Sequence, residues 1–138
     1  MTDSTLYREP DPSLVTWSHV TYALHAVGLA LGAFGAASVV GSFLFGWPSI
    51  IAVILNYVKR GEAQGTWLES HFAWQIRTFW FALLWVAVTS ICAAPLLLVG
   101  VGIVVVWIGF GLTGAWLLYR VVRGWRALRD RQPPPLPA

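Results

Sequence analysis

The chain has 138 residues, 57% of them hydrophobic and 11% charged, against roughly a quarter charged in an average soluble domain. A soluble fold of this length has no use for so much apolar surface. The nine Lys and Arg lie at the ends of apolar runs rather than on one basic face, which excludes a nucleic-acid-binding module. The single cysteine, Cys92, excludes an intramolecular disulfide and a multi-cysteine zinc site.

Length predicts one domain: a polar N-terminal tail over residues 1–11, a helical transmembrane domain over 12–131 and a Pro-rich tail over 132–138. Residues 1–16 carry acids and prolines and are not expected to act as a cleavable signal peptide, so the spans themselves direct insertion. Asp11-Pro12 is a helix start, with the carboxylate as N-cap and the proline fixing the first turn.

From Ser18 to Val58 the chain runs 41 residues with little polarity, about 60 Å as one helix at 1.5 Å per residue. The bilayer core is only about 30 Å thick. The glycines and proline of Gly41 to Pro48 therefore predict a break, with residues 18–40 as one span, Phe43, Phe45 and Trp47 at an interface, and a short return over 48–58. The alternative is one long kinked first helix and three spans in all.

Residues 59–66 read as a polar loop, and Thr66-Trp67-Leu68-Glu69 fits a capping box that starts a helix at Trp67. That helix carries Glu69, His71, Gln75 and Arg77 in its first turns before becoming apolar from Phe79 onward. Ile76 to Tyr119 is long enough for two spans, and Gly100-Val101-Gly102 is the expected turn between them. Beyond Tyr119, Val121, Val122, Trp125 and Leu128 share one side of a helix while Arg120, Arg123, Arg126 and Arg129 cover the rest. This extension is expected to lean on the headgroups. Lys59, Arg60, Arg77 and the C-terminal arginines flank the last hairpin, whereas its Gly100 turn is uncharged, so the positive-inside rule places the C-terminus in the cytoplasm. The fold class expected is an all-α integral membrane bundle of four hydrophobic helices.

His25 and His71 are the candidates for a bis-histidine haem, which would require them to face each other at one depth. Hydrogen bonding between helices is the plainer role for both. Trp67, Glu69, His71, Trp74, Gln75 and Arg77 form the candidate interaction surface, each with a structural reading as well: Glu69 completes a cap, His71 and Gln75 bond each other one turn apart, and Arg77 stacks near Trp74 or Trp80. Trp17, Trp67, Trp74, Trp80, Trp116 and Trp125 fall at predicted span ends, as an aromatic belt would. Gly28, Gly32 and Ala36, four apart on one helix face, and Gly109, Gly111 and Gly114 offer small-residue faces for close helix packing. No nucleophile with a base, phosphate loop or pair of intramembrane acids is visible, so an enzyme is not expected, nor is a cofactor.

The run from Ile54 to Trp85, with His19 early in the first segment, Gly46-x-Pro48 before a helix ending in basic residues, and Trp74-Gln75 opening the next span, resembles the Tic-twenty-like superfamily of small bacterial membrane proteins. Ala73 stands where that family usually carries a basic residue. The resemblance implies a four-helix protein of the bacterial inner membrane. The expected function is a non-enzymatic structural or interaction component of a homo-oligomer or larger membrane complex, in contact with the lipid bilayer. A haem-binding redox subunit and a small transport or translocation component are the alternatives, the last motivated by the broken second segment.

Overall fold

Asp11 ends the polar tail as predicted: its Oδ1 accepts the Ser13 N–H at 2.8 Å and its carbonyl accepts the Leu14 N–H at 2.9 Å. The computed structural model describes residues 7–35 and 39–134, without the side chains of 33–45. It contains four helices, α1 (Pro12–Gly35), α2 (Val39–Lys59), α3 (Leu68–Leu97) and α4 (Gly102–Arg129). No strand occurs among the described residues; Arg8 and Thr66 form an isolated bridge.

The break between the first two helices falls earlier than the sequence pattern predicts. Gly41 to Pro48 is helical, and α2 already begins at Val39 with Pro48 inside it. A proline removes one backbone donor, a loss that packed neighbours can absorb in a membrane bundle. The expected short return is thus a helix of 21 residues, about 32 Å long. Phe43 and Phe45 lie outside the described side chains, and Trp47 is exposed.

The capping box forms only in part. The Glu69 carboxylate reaches back to the Gly65 N–H at 2.9 Å, not to Thr66, while the Thr66 hydroxyl donates to the Ala63 carbonyl at 2.7 Å. Gly65, at φ +74, turns the chain in a conformation other residues adopt only with strain. The Gly100 turn is as predicted, with φ +77 at Gly100. At Gly102 an added Cβ would sit 2.4 Å from the Leu97 nitrogen and 2.7 Å from the Ala93 carbonyl. Only glycine fits there.

The C-terminal extension is not a separate surface helix. It continues α4 to Arg129 and ends in a Schellman motif: Gln132 N–H bonds the Ala127 carbonyl at 2.9 Å and Arg131 N–H bonds the Leu128 carbonyl at 3.0 Å. Arg131 holds the left-handed position at φ +55, where glycine is usual.

Two contacts fix the topology. Arg8 N–H donates to the Gly65 carbonyl at 3.1 Å, and His71 Nε2 donates to the Gln132 carbonyl at 2.6 Å. Arg8 and Gln132 therefore both lie beside the α2–α3 loop and the start of α3, at one end of the bundle. The fold has four helices, with α1 and α2 separate rather than one long kinked first helix.

α1 packs along α2 and α3 along α4, and the two hairpins meet chiefly at that common base. Its core is Leu14, Tyr22, Trp67, Leu68, Phe72, Trp74, Leu117, Val121 and Leu128. Among the described residues three helices are long and apolar enough to cross a membrane, Pro12–Gly32, Leu68–Leu97 and Gly102–Arg129. Over the most apolar 18 residues of each, a third is buried in the chain's own fold for the first but only 11% for the other two, so the α3–α4 hairpin extends from the base as an arm. Ile91, Leu98, Val104, Trp107, Ile108 and Leu112 are all exposed on it. Soluble monomers seldom expose apolar patches beyond a few hundred Å², whereas lipid is the natural solvent for such a surface.

Candidate functional site

The base is where polar chemistry collects. In α3 the buried positions Leu68, His71, Phe72, Trp74, Gln75 and Thr78 form one inward stripe, and α4 answers with Leu117, Arg120, Val121, Gly124 and Leu128. α1 adds Ser18, Tyr22 and His25, and α2 adds Asn56, all buried.

His71 ties three parts of the chain together. Its Nε2 faces the Gln132 carbonyl, which can only accept, so Nε2 carries the proton and Nδ1 of the neutral ring accepts from the Tyr22 hydroxyl at 3.0 Å. Gln75 joins the other hairpin: its Oε1 accepts from Asn56 Nδ2 at 3.1 Å and its Nε2 points to Ser18 Oγ at 3.5 Å. The expected His71–Gln75 bond does not form, because each side chain faces a different helix.

Arg120 is turned into the bundle rather than onto the predicted polar face. Its guanidinium lies 3.7 Å from the Trp74 ring centroid and 5.2 Å from that of Trp116, and its Nε donates to Thr78 Oγ1 at 2.8 Å. Thr78 in turn donates to the Trp74 carbonyl at 2.7 Å, and Trp74 Nε1 donates to the Arg120 carbonyl at 3.3 Å. Ring faces and a hydroxyl, not a carboxylate, surround this charge. The two ion pairs among the described residues, Lys59–Glu62 at 3.0 Å and Arg129–Asp130 at 3.7 Å, are at the surface. A cavity of about 10 Å³ lies between Tyr22, His25, Trp74, Gln75, Thr78 and Arg120, room for about one water.

Gly124 makes this convergence possible. A Cβ there would meet the Tyr22 hydroxyl at 2.5 Å and Trp74 Nε1 at 2.9 Å. Beside it, Trp125 stacks on Tyr22 with centroids 6.4 Å apart and donates to His19 Nδ1 at 3.0 Å.

Of the six residues of the predicted interaction surface, Trp67, His71, Trp74 and Gln75 are buried inside the fold. Glu69 is exposed and caps the loop, and Arg77 is exposed without stacking on Trp74 or Trp80. Burial of Trp67 and Trp74 also removes them from the predicted aromatic belt. His25 bonds Ser49 Oγ through Nδ1 at 3.3 Å, and both ring nitrogens of His71 are engaged, so the pair does not present two free nitrogens to a haem iron. Among the described residues there is no cluster of three or more metal-ligating side chains.

The members that sequence pattern missed are Ser18, Tyr22, Asn56, Thr78 and Arg120. One signal for Arg120 was present: with Leu117, Val121, Gly124 and Leu128 it repeats every three or four residues, an inward stripe that a snorkelling reading of the arginine conceals. No family model matches the chain, and neither a curated relative nor a solved structure does.

Proposed function

We propose that this chain is a non-enzymatic, multi-pass protein of the bacterial cytoplasmic membrane, a structural or interaction component that holds its base rigid and offers the α3–α4 arm to a second copy or a larger membrane complex. The observation that carries this reading is the contrast within one hairpin: hydrogen bonds join the helices at the base, while the arm leaves its apolar side chains without cover from the chain itself. The hydrogen bonds at the base run between helices, so its chemistry suits holding helices together. Resemblance to the Tic-twenty-like proteins supports the membrane assignment. The excess of arginine and lysine at the base supports a cytoplasmic location for both termini.

The other readings have less behind them. A translocation role was motivated by irregular backbone over residues 41–48, which is helical. The haem reading needs ring nitrogens that His71 already uses.

The test is site-specific photocrosslinking in intact bacterial membranes, with the reactive group placed at Trp107, Ile91 or Leu112 on the arm and at Glu69 or Arg77 on the base. Discrete protein adducts from arm positions are expected. Lipid adducts alone from every arm position would sink the interaction role, leaving only a membrane-embedded bundle.

A further inference from the structure

The structure carries a second feature at the base, and its position along α4 matters. That helix has 28 residues, about 42 Å of rise, against a hydrocarbon core of about 30 Å. With Gly102 at the far boundary, the surplus of about 12 Å corresponds to the last eight residues, 122–129. They fall at the depth of the lipid headgroups.

On that stretch Val122, Trp125, Arg126 and Arg129 line a groove of about 340 Å³. Their spacing of three, four and seven residues puts them on one face of the helix. Trp125 is fixed as its wall by the stack on Tyr22 and the bond to His19. Val122 is exposed beside it. Arg126 makes no ion pair among the described residues, and Arg129 has only the exposed contact with Asp130 at 3.7 Å, a kind of pair that contributes little. Arg123 points elsewhere, folding back on the Tyr119 hydroxyl and ring.

Resting on the membrane assignment above, we propose that this groove binds the headgroup of an anionic phospholipid, with Arg126 and Arg129 on the phosphate and Val122 and Trp125 against the glycerol and first acyl carbons. Charge complementarity selects the anion, and the apolar wall next to two guanidinium groups selects an amphiphile over a free phosphate. Trp125 is at the usual depth for an interfacial aromatic.

The experiment uses the full chain in detergent micelles and reads retained lipid by native mass spectrometry, with phosphatidylglycerol and phosphatidylcholine offered in equal amounts. Phosphatidylglycerol should be kept in preference, and R126Q/R129Q should weaken its retention about thirtyfold, from about fivefold per arginine at an anionic surface. R126Q alone should weaken it about fivefold, whereas R123Q removes the same single charge from another face and should leave retention nearly unchanged. Equal losses in R123Q and R126Q would reduce the effect to overall charge and overturn the site. So would full competition by soluble glycerol phosphate, which would make the groove a phosphate site. Failure of the membrane assignment reads differently: the chain would stay in the aqueous fraction with vesicles of every composition.

Discussion

The base and the arm of the α3–α4 hairpin belong to the same two helices and obey different rules. At the base, residues 68–78 and 117–128 face α1 and α2, and every turn spends a position on a polar or close contact: His71, Gln75 and Thr78 on one helix, Arg120 and Gly124 on the other. Toward the Gly100 turn the helices touch mainly each other, and their outer faces carry Ile, Leu, Val and Trp. Specific hydrogen bonds define partners where helices must find one another; an apolar coat suffices where the neighbour is lipid.

The largest effect should come from glycine at the base, and comparison with glycine on the arm makes it decisive. Gly124→Val places carbon where Tyr22 and Trp74 already stand, and should lower stability by about 3 kcal/mol, the upper range for overpacking. Gly111 and Gly114, with nothing within 4 Å of an added Cβ, should accept alanine with a change below about 1 kcal/mol. Thermal unfolding in one detergent reads all three. A tolerated Gly124→Val would mean that the hairpins do not approach as closely as described.

Next in size is the tie through His71. Its removal in His71→Ala strands the Tyr22 hydroxyl and the Gln132 carbonyl and should cost about 2 kcal/mol, whereas Tyr22→Phe removes one partner and should cost about 1 kcal/mol. The double variant should cost less than the sum, because both substitutions break the same bond. Strict additivity, measured by the same unfolding assay, would deny the Tyr22–His71 contact.

How much of this was legible depends on whether a feature is local. Asp11-Pro12, the Gly100 turn and the four-helix class follow from neighbouring residues and from length, and the sequence shows them. The polar base does not follow in that way. His71 and Gln75 lie one turn apart and read as a pair, but the helices opposite them decide otherwise, and helix spacing carries no information about which helix those are. Arg120 was misread for a related reason: beside Arg123 and Arg126 it resembles a headgroup anchor, and only the Trp74 ring and Thr78 hydroxyl on α3 explain why it turns inward. Pro48 misled in the opposite direction, since its local signal for a break is overridden in the middle of α2.

A smaller effect, of opposite sign, is expected at the end of α4. Arg131 occupies the left-handed C′ position, which costs a side chain about 1 kcal/mol and costs glycine almost nothing. Arg131→Gly should therefore stabilise the base by about 1 kcal/mol while keeping the Gln132 carbonyl on His71. Should the variant lose stability instead, the Arg131 side chain has a contact that outweighs its backbone strain.

The smallest effect lies at the other end of the chain, where one exposed carboxylate starts α1. The Ser13 backbone N–H, and after it the Ser13 hydroxyl, hold Asp11 below its ordinary value of 3.8. A carboxylate whose folded pKa is depressed stabilises the fold above its unfolded value, and that contribution is lost as pH falls through the lower, folded one. The cap should thus be intact at pH 5 and weaken only below about pH 3.8, seen as lower protection of the Ser13 and Leu14 amides, relative to the intrinsic exchange rate at each pH, with no change at the Tyr22–His71 contact. Asp11→Asn keeps an N-cap acceptor of similar quality without a titrating proton. Its amide protection should be the same on both sides of that window. If the two proteins respond to acid alike, the fraying belongs to the whole base and not to its first residue.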